Sequence, residues 1–212
     1  MRQRLRTAQA PTPSGSVRTT SGIVDRHDEA VSATRLLMLG LVRSFGRTNG
    51  YQVRRELLSW NADRWGNVNP GSIYHALKQL RGNGLLRTVD EPARQSGRRS
   101  EGIYEITEDG ETEFLRLLRA ALIEVDDPHS GELEAAISFL PNLPAEESAA
   151  LLRQRLTKLQ QRRRTLAADV EQLPGWGKPA QVGELYRLWH GQTDAEIRWL
   201  RELIGRIETS AS

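Results

Sequence analysis

The sequence predicts a mainly α-helical chain with one small two-stranded β-hairpin and a C-terminal half made of long antiparallel helices with coiled-coil spacing. Three observations predict it. From residue 35 onward, apolar side chains recur at three- and four-residue intervals over most of the chain. One stretch, residues 85–107, instead places two short β-prone runs around a turn-rich, arginine-rich segment. Two segments bounded by proline and glycine, 144–173 and 182–207, keep a strict +4, +3 repeat.

The organising element is Asn69-Pro70-Gly71-Ser72-Ile73-Tyr74-His75-Ala76-Leu77-Lys78-Gln79-Leu80. Asn69 can cap a helix, and Pro70 suits the first helical position, where its missing N–H would be unpaired anyway. Ile73, Leu77 and Leu80 form one apolar face. His75, Lys78 and Gln79 form the opposite one, with Ser72 and Tyr74 at its flanks. Gly82 and Gly84 end the helix. A short capped helix whose outer face is polar and free of acidic residues suits a DNA major groove, although by itself it also fits an ordinary amphipathic helix.

Taken in order, residues 1–30 offer too few apolar groups to offset ordering entropy and read as a disordered basic arm. Arg35 to Ser44 is apolar around most of its circumference, so it reads as a helix buried on several sides. Tyr51 to Trp60 resumes helical spacing, with Val53, Leu57 and Trp60 inward and Arg54 and Arg55 outward. Asn61 to Asn69 reads as a polar connection to the organising helix. Leu85 to Glu91 and Ile103 to Thr107 read as strands. Between them, residues 92–102 carry Arg94, Arg98 and Arg99. An Arg-tipped hairpin directly after a helix-turn-helix is a wing, and the assembly is a winged helix-turn-helix. Guanidinium groups on its tip can pair with phosphates or enter a narrow minor groove.

Thr107 then caps a helix with Glu108, Asp109 and Glu111 in its first turn, where the helix dipole favours acids. Its stripe is Phe114, Leu117, Leu118, Ala121, Leu122 and Val125, and Asp126-Asp127-Pro128 marks a domain boundary. Leu133, Ile137 and Leu140 form a short apolar face. Ala145, Ala149, Leu152, Leu156, Leu159, Arg163, Leu166, Val170 and Leu173 make a seam interrupted once, at Arg163. Val182, Tyr186, Trp189, Thr193, Glu196, Leu200, Leu203 and Ile207 make another, widened by Leu185, Ile197 and Ile204. Two such helices cannot bury both seams in so thin a unit, which predicts a homodimer. The expected organisation is a basic arm over 1–30, a winged helix-turn-helix over 31–127 and a helical dimerisation domain over 128–212, which an effector could also address.

Charge supports this division. Residues 35–107 carry 12 basic and 6 acidic side chains, whereas 108–212 carry 13 and 18. A polyanionic partner is therefore expected for the first segment and not for the second. The Arg162-Arg163-Arg164 run falls in the acidic half and reads as a solvated helix face, with Arg163 snorkelling. Cysteine is absent, which excludes disulfides and thiolate-ligated metals. The longest apolar run, Leu36 to Val42, is far short of the roughly 20 residues a membrane span needs. No leader-like hydrophobic run is seen, so a cytoplasmic protein without a membrane partner is expected. His27, His75, His129 and His190 lie in unrelated segments, and no nucleophile, phosphate-loop or metal-ligand spacing occurs, so neither enzymatic activity nor a cofactor is expected.

The chain resembles the PadR family of bacterial winged-helix transcriptional regulators. The carrying residues are Leu36-Leu37-Met38-Leu39-Gly40-Leu41 with Gly50-Tyr51, Pro70-Gly71-Ser72-Ile73-Tyr74 with Ala76-Leu77 and Leu80, and Gly84-Leu85-Leu86. Gly97-Arg98, Tyr104, Ile106-Thr107 and Gly110 complete the set. The match covers about residues 35–123, and the helical tail with Phe139-Leu140-Pro141 is similar to the longer-tailed members. Asn49 stands where the family usually has histidine, His75 where proline is common, and Arg99 where the wing commonly has proline; Ser100 and Glu101 replace basic positions. The resemblance implies a homodimer on a pseudo-palindromic double-stranded DNA operator, most often a repressor relieved by a small molecule. Ser72, His75, Lys78 and Gln79 would face base edges. Tyr74 would touch phosphate or sugar, or pack within the domain, and Arg94, Arg98 and Arg99 would hold the backbone or minor groove. Trp176, Tyr186, Trp189 and Trp199 could line a pocket for a flat aromatic or hydrophobic effector, or simply pack. The alternative function is a protein-interaction module without sequence-specific DNA readout.

Overall fold

The structure, a computed structural model, describes residues 33–66, 68, 71–89, 102–125, 131–177 and 179–211. The basic arm, the Asn69-Pro70 cap and the wing tip lie outside the described residues. Helix α1 (Ala33–Phe45) is the hub. Leu36, Leu37, Met38, Leu39, Leu41 and Val42 are all at most 1% exposed, as its all-round apolarity predicts. Around it pack α2 (Gly50–Ser59), α4 (Ser72–Gly82), α5 (Glu108–Ile123), α6 (Glu132–Ser138) and the second strand of the sheet. Strands β1 (Leu86–Val89) and β2 (Ile103–Ile106) pair antiparallel, with Leu86 opposite Ile106 and Val89 opposite Ile103. Thr48, in the α1–α2 connection, adds an isolated antiparallel bridge to Tyr104 and ties the base of the hairpin to the helical body.

The turn from α4 into β1 uses Gly84 at φ +76°, a conformation L side chains rarely adopt. Thr107 caps α5 as expected, its hydroxyl accepting from the Gly110 N–H and donating to the Gly84 carbonyl. Phe139 fills the centre, its ring edge-on to Trp60 (5.7 Å) and Phe114 (5.6 Å). Arg43 lies over Phe114 at 5.5 Å while binding Glu111. The tail consists of α7 (Ala145–Gln172) and α8 (Ala180–Ala211), packed on each other along their length, and α7 also packs on α5. No described helix is long and apolar enough to cross a membrane.

Three local expectations are corrected. The connection after α2 holds a short helix, α3 (Ala62–Trp65), whose Ala62 is buried. The organising helix has Gly71 at its N-cap and begins at Ser72, two residues later than an Asn69 cap would set it, because burial of Ile73 and Leu77 fixes its position. In α6 the buried residues are Ala135 and Ala136, followed by Phe139, whereas Leu133, Ile137 and Leu140 are half-exposed. Small side chains let α6 approach α1 and α5 closely, and the larger ones are turned aside. In α8 the buried positions, Thr193, Ile197, Leu200 and Ile204, all belong to the expected stripe or its widening, on a helix that packs along α7.

Arg155, buried on α7, binds Glu196 of α8 at 2.8 Å and donates to the Ala121 and Glu124 carbonyls at the end of α5. Lys158 reaches the Glu124 carboxylate (3.0 Å) and Arg162 the Val125 carbonyl (2.6 Å). These three cations sit at i, i+3 and i+7 on α7 and meet the C-terminal end of α5, whose last carbonyls have no intrahelical donor and whose dipole favours positive charge. The arginine run is thus engaged inside the protein: Arg162 with the Val125 carbonyl beyond α5, Arg163 with Asp194 (3.2 Å) and Arg164 with Gln161.

Candidate nucleic-acid interface

Helix α4 is held by Ile73, Leu77 and Leu80, at 2%, 0% and 4% exposure. Their burial presents His75, Lys78 and Gln79 outward as one i, i+3, i+4 set, all three exposed. No described residue engages these three side chains. Among the described residues nothing consumes their donors, and a partner's groove edge can meet all of them at once. Ser72 and Ala76 flank the set, half-buried.

Tyr74 is half-buried, and its ring lies against Gly50 at the start of α2. A Cβ at Gly50 would stand 2.5 Å from Tyr74 Cε1, so glycine is what lets the two helices of the motif approach this closely. Among the three roles left open for Tyr74, the ring is in the packing one. Asn49 caps α2, its side chain accepting from Gln52 N at 2.9 Å, which gives a specific role to the asparagine found in place of histidine.

Sequence reasoning did not single out Arg47, Arg81 or Arg87, three exposed cations on this side of the chain's sequence map. Arg81 continues α4 beyond Lys78. Arg87 on β1 binds Glu105 on β2 at 2.8 Å, and Arg47 approaches the same carboxylate at 3.7 Å. The hydrogen bond from Arg87, supported by Arg47, holds the Glu105 carboxyl below its ordinary range. One acid shared by two arginines leaves an excess of positive charge at the base of the hairpin, a pattern visible only once the strand register is known. Arg94, Arg98 and Arg99 lie outside the described residues.

The predicted effector residues do not form one cluster. Tyr186 and Trp189 touch, ring centres 5.2 Å apart. Trp199 stands ten residues further along α8, about 15 Å away at the helical rise, and lines a cleft with Trp60 and Trp65 instead. Nothing is described for the side chain of Trp176.

Three or four packed helices, a two-stranded hairpin and an outward polar helix define a winged helix-turn-helix protein. Residues 38–116 match the family model described as the transcriptional regulator PadR-like family. That match spans the helices and hairpin of the winged segment and is what this part of the chain is similar to. No curated protein matches the chain. Among solved structures it is similar to Bacillus subtilis PadR in complex with operator DNA, at 20% identity and TM-score 0.36, covering 82% of this chain and 98% of that one. The same protein in complex with p-coumaric acid is similar at 19% identity and TM-score 0.34, covering 83% and 99%. A third is smu.1604c from Streptococcus mutans UA159, at 22% identity and TM-score 0.36, covering 81% and 98%.

Proposed function

We propose that this chain is a homodimeric, sequence-specific repressor that reads a pseudo-palindromic operator with α4 and is released by a small hydrophobic or aromatic effector. The observation that carries the reading is the exposed set His75, Lys78 and Gln79, engaged by no described residue, on a helix fixed from behind by three buried side chains. Ser72 sits at the helix start, where it meets base edges or phosphate, and Tyr74 of α4 seats the helix against Gly50 of α2. Arg94, Arg98 and Arg99 on the wing supply backbone or minor-groove contacts, with Arg81 and Arg87 as further phosphate partners. The functional division is an arm over 1–30, a reading head over 31–127 and a dimerising tail over 128–212. Exposed Leu185 (43%) and Leu188 (56%), beside half-buried Tyr186 and Trp189, support a second copy packing on α8.

In such a dimer the two copies of α4 enter successive major grooves about 34 Å apart. The test is binding to sequences selected by the protein from a random pool. Lys78→Ala is expected to cost about 1–3 kcal/mol and to relax preference at one position of each half-site. Replacing Arg98 and Arg99 together is expected to weaken binding to all sequences and flatten the salt dependence. Selection that enriches no sequence, with binding lost uniformly as salt rises, favours an interaction module instead. Sedimentation of Leu185→Glu with Leu188→Glu as a monomer would support the tail interface; an unchanged dimer removes it.

A further inference from the structure

A cleft of about 490 Å³ opens where the α2–α3 corner, α6 and α8 meet. Its walls are Trp60, Trp65, Trp199, Leu133 and Ile137, and Glu134 is the ionisable side chain in its lining. The volume lies within the range of small-molecule sites, and an apolar lining with a few placed polar groups is their usual composition. The three indoles are half-buried, so each keeps part of its surface open to the cleft.

The hydrogen-bonding state of the lining narrows the ligand. The Trp60 indole N–H donates to the Glu56 carboxylate and the Trp65 N–H to the Trp60 carbonyl, each at 3.1 Å. What these two indoles offer is therefore ring surface and not a donor. Ring faces are electron-rich and attract cations as well as flat apolar bodies. Glu134 is exposed, and no described residue pairs with its carboxylate. Among the described residues, no lysine, arginine or histidine lines the cleft to receive an anion. Aromatic faces with one unpaired carboxylate favour a planar cation and oppose a carboxylate ligand.

The cleft also touches the reading head. Trp60 caps the C-terminal end of α2 and packs on Phe139, while Gly50 at the other end of α2 bears on Tyr74 of α4. A molecule that displaces Trp60 therefore pushes on the helix that positions α4.

We propose that the Trp60–Trp65–Trp199 cleft, with Glu134, binds a planar aromatic monocation, and that its occupation lowers DNA affinity through α2. The second half rests on the DNA-binding reading; the first does not. The test titrates the full-length protein, without DNA, with N-methylquinolinium, with neutral quinoline and with 1-naphthoate, reading tryptophan quenching and calorimetric heat. The cation is expected to bind about tenfold more tightly than quinoline, consistent with a partly desolvated cation–π and carboxylate contact, and naphthoate most weakly. Glu134→Gln, at an exposed position that leaves the fold intact, should bring the cation down to quinoline's affinity and leave quinoline unchanged. Trp199→Leu should weaken both. Absence of saturable quenching, naphthoate binding as tightly as the cation, or equal effects of Glu134→Gln on cation and quinoline overturns the site. Fluorescence anisotropy on a selected operator then reads the coupling, with about a tenfold loss of affinity expected at saturating cation and a smaller loss in Glu134→Gln at the same concentration. Unchanged operator affinity at saturation overturns the coupling while the DNA-free titration still decides the site. Failure to select any operator overturns the DNA-binding reading instead.

Discussion

Replacing Arg155 tests how α5 is joined to α7 and α8. Its side chain is 7% exposed and contacts three elements at once: it lies on α7, binds Glu196 of α8, and donates to carbonyls at the end of α5. Arg155→Met keeps most of the volume and removes every donor. The Glu124 carbonyl loses a charged donor, a bond of about 1.5–3 kcal/mol, whereas the Ala121 bond, at 3.4 Å, contributes little. Glu196 is 25% exposed and rehydrates, so the ion pair itself adds about 1 kcal/mol. A loss of about 3 kcal/mol is expected in urea denaturation of the full chain followed by far-UV circular dichroism. Arg155→Lys should recover no more than about half, because one ammonium cannot serve the α5 carbonyls and Glu196 together. A loss below about 0.5 kcal/mol for Arg155→Met, or a lysine variant as stable as the parent, would refute the clasp.

Further outcomes follow from packing and charge. Gly40→Ala places a Cβ 2.4 Å from the Phe139 ring and should cost about 1–3 kcal/mol in thermal denaturation, with partial recovery on adding Phe139→Leu. Gly50→Ala drives Tyr74 from its seat and should weaken operator binding measured by anisotropy while leaving the dimer unchanged; equal binding would detach Tyr74 from the positioning of α4. Burial disfavours the charge on Glu113, but Arg116 and Arg35 outweigh it, so its carboxyl titrates below the ordinary value. A depressed folded value means stability that is present above the unfolded pKa of about 4.3 and lost as pH falls through the folded value. Glu113→Gln should therefore flatten the acid limb of the stability profile below about pH 4.3, and carboxyl NMR titration checks the shift directly.

Much of the head was legible because its signals are local. The all-round apolarity of α1, the Thr107 cap and the two faces of α4 each depend on residues within a few positions of one another, and the structure has all three. Helix α3 was not legible: four residues are too few to show a period, and Asp63 and Arg64 make it look like a polar loop. The α6 face was misjudged because large side chains were assumed to point inward, whereas close helix contact selects Ala135 and Ala136. The role of Arg155 was not legible, since nothing near it in sequence announces the α5 carbonyls that receive it. The joining of Trp199 to Trp60 and Trp65 depends on how three distant helices pack, information that periodicity does not contain.

The grip of Arg155, Lys158 and Arg162 on the end of α5 bears on how two reading heads cooperate. Heads on slack tethers must lose orientational freedom each time both engage, and their effective concentration is diluted over the volume the tether explores. Here α5 is bonded directly into α7, and α7 packs along α8, so in the proposed dimer little such freedom remains to be lost. Half-site spacing then becomes a rigid property of the protein. Inserting a few base pairs between the half-sites should abolish the second engagement instead of weakening it gradually.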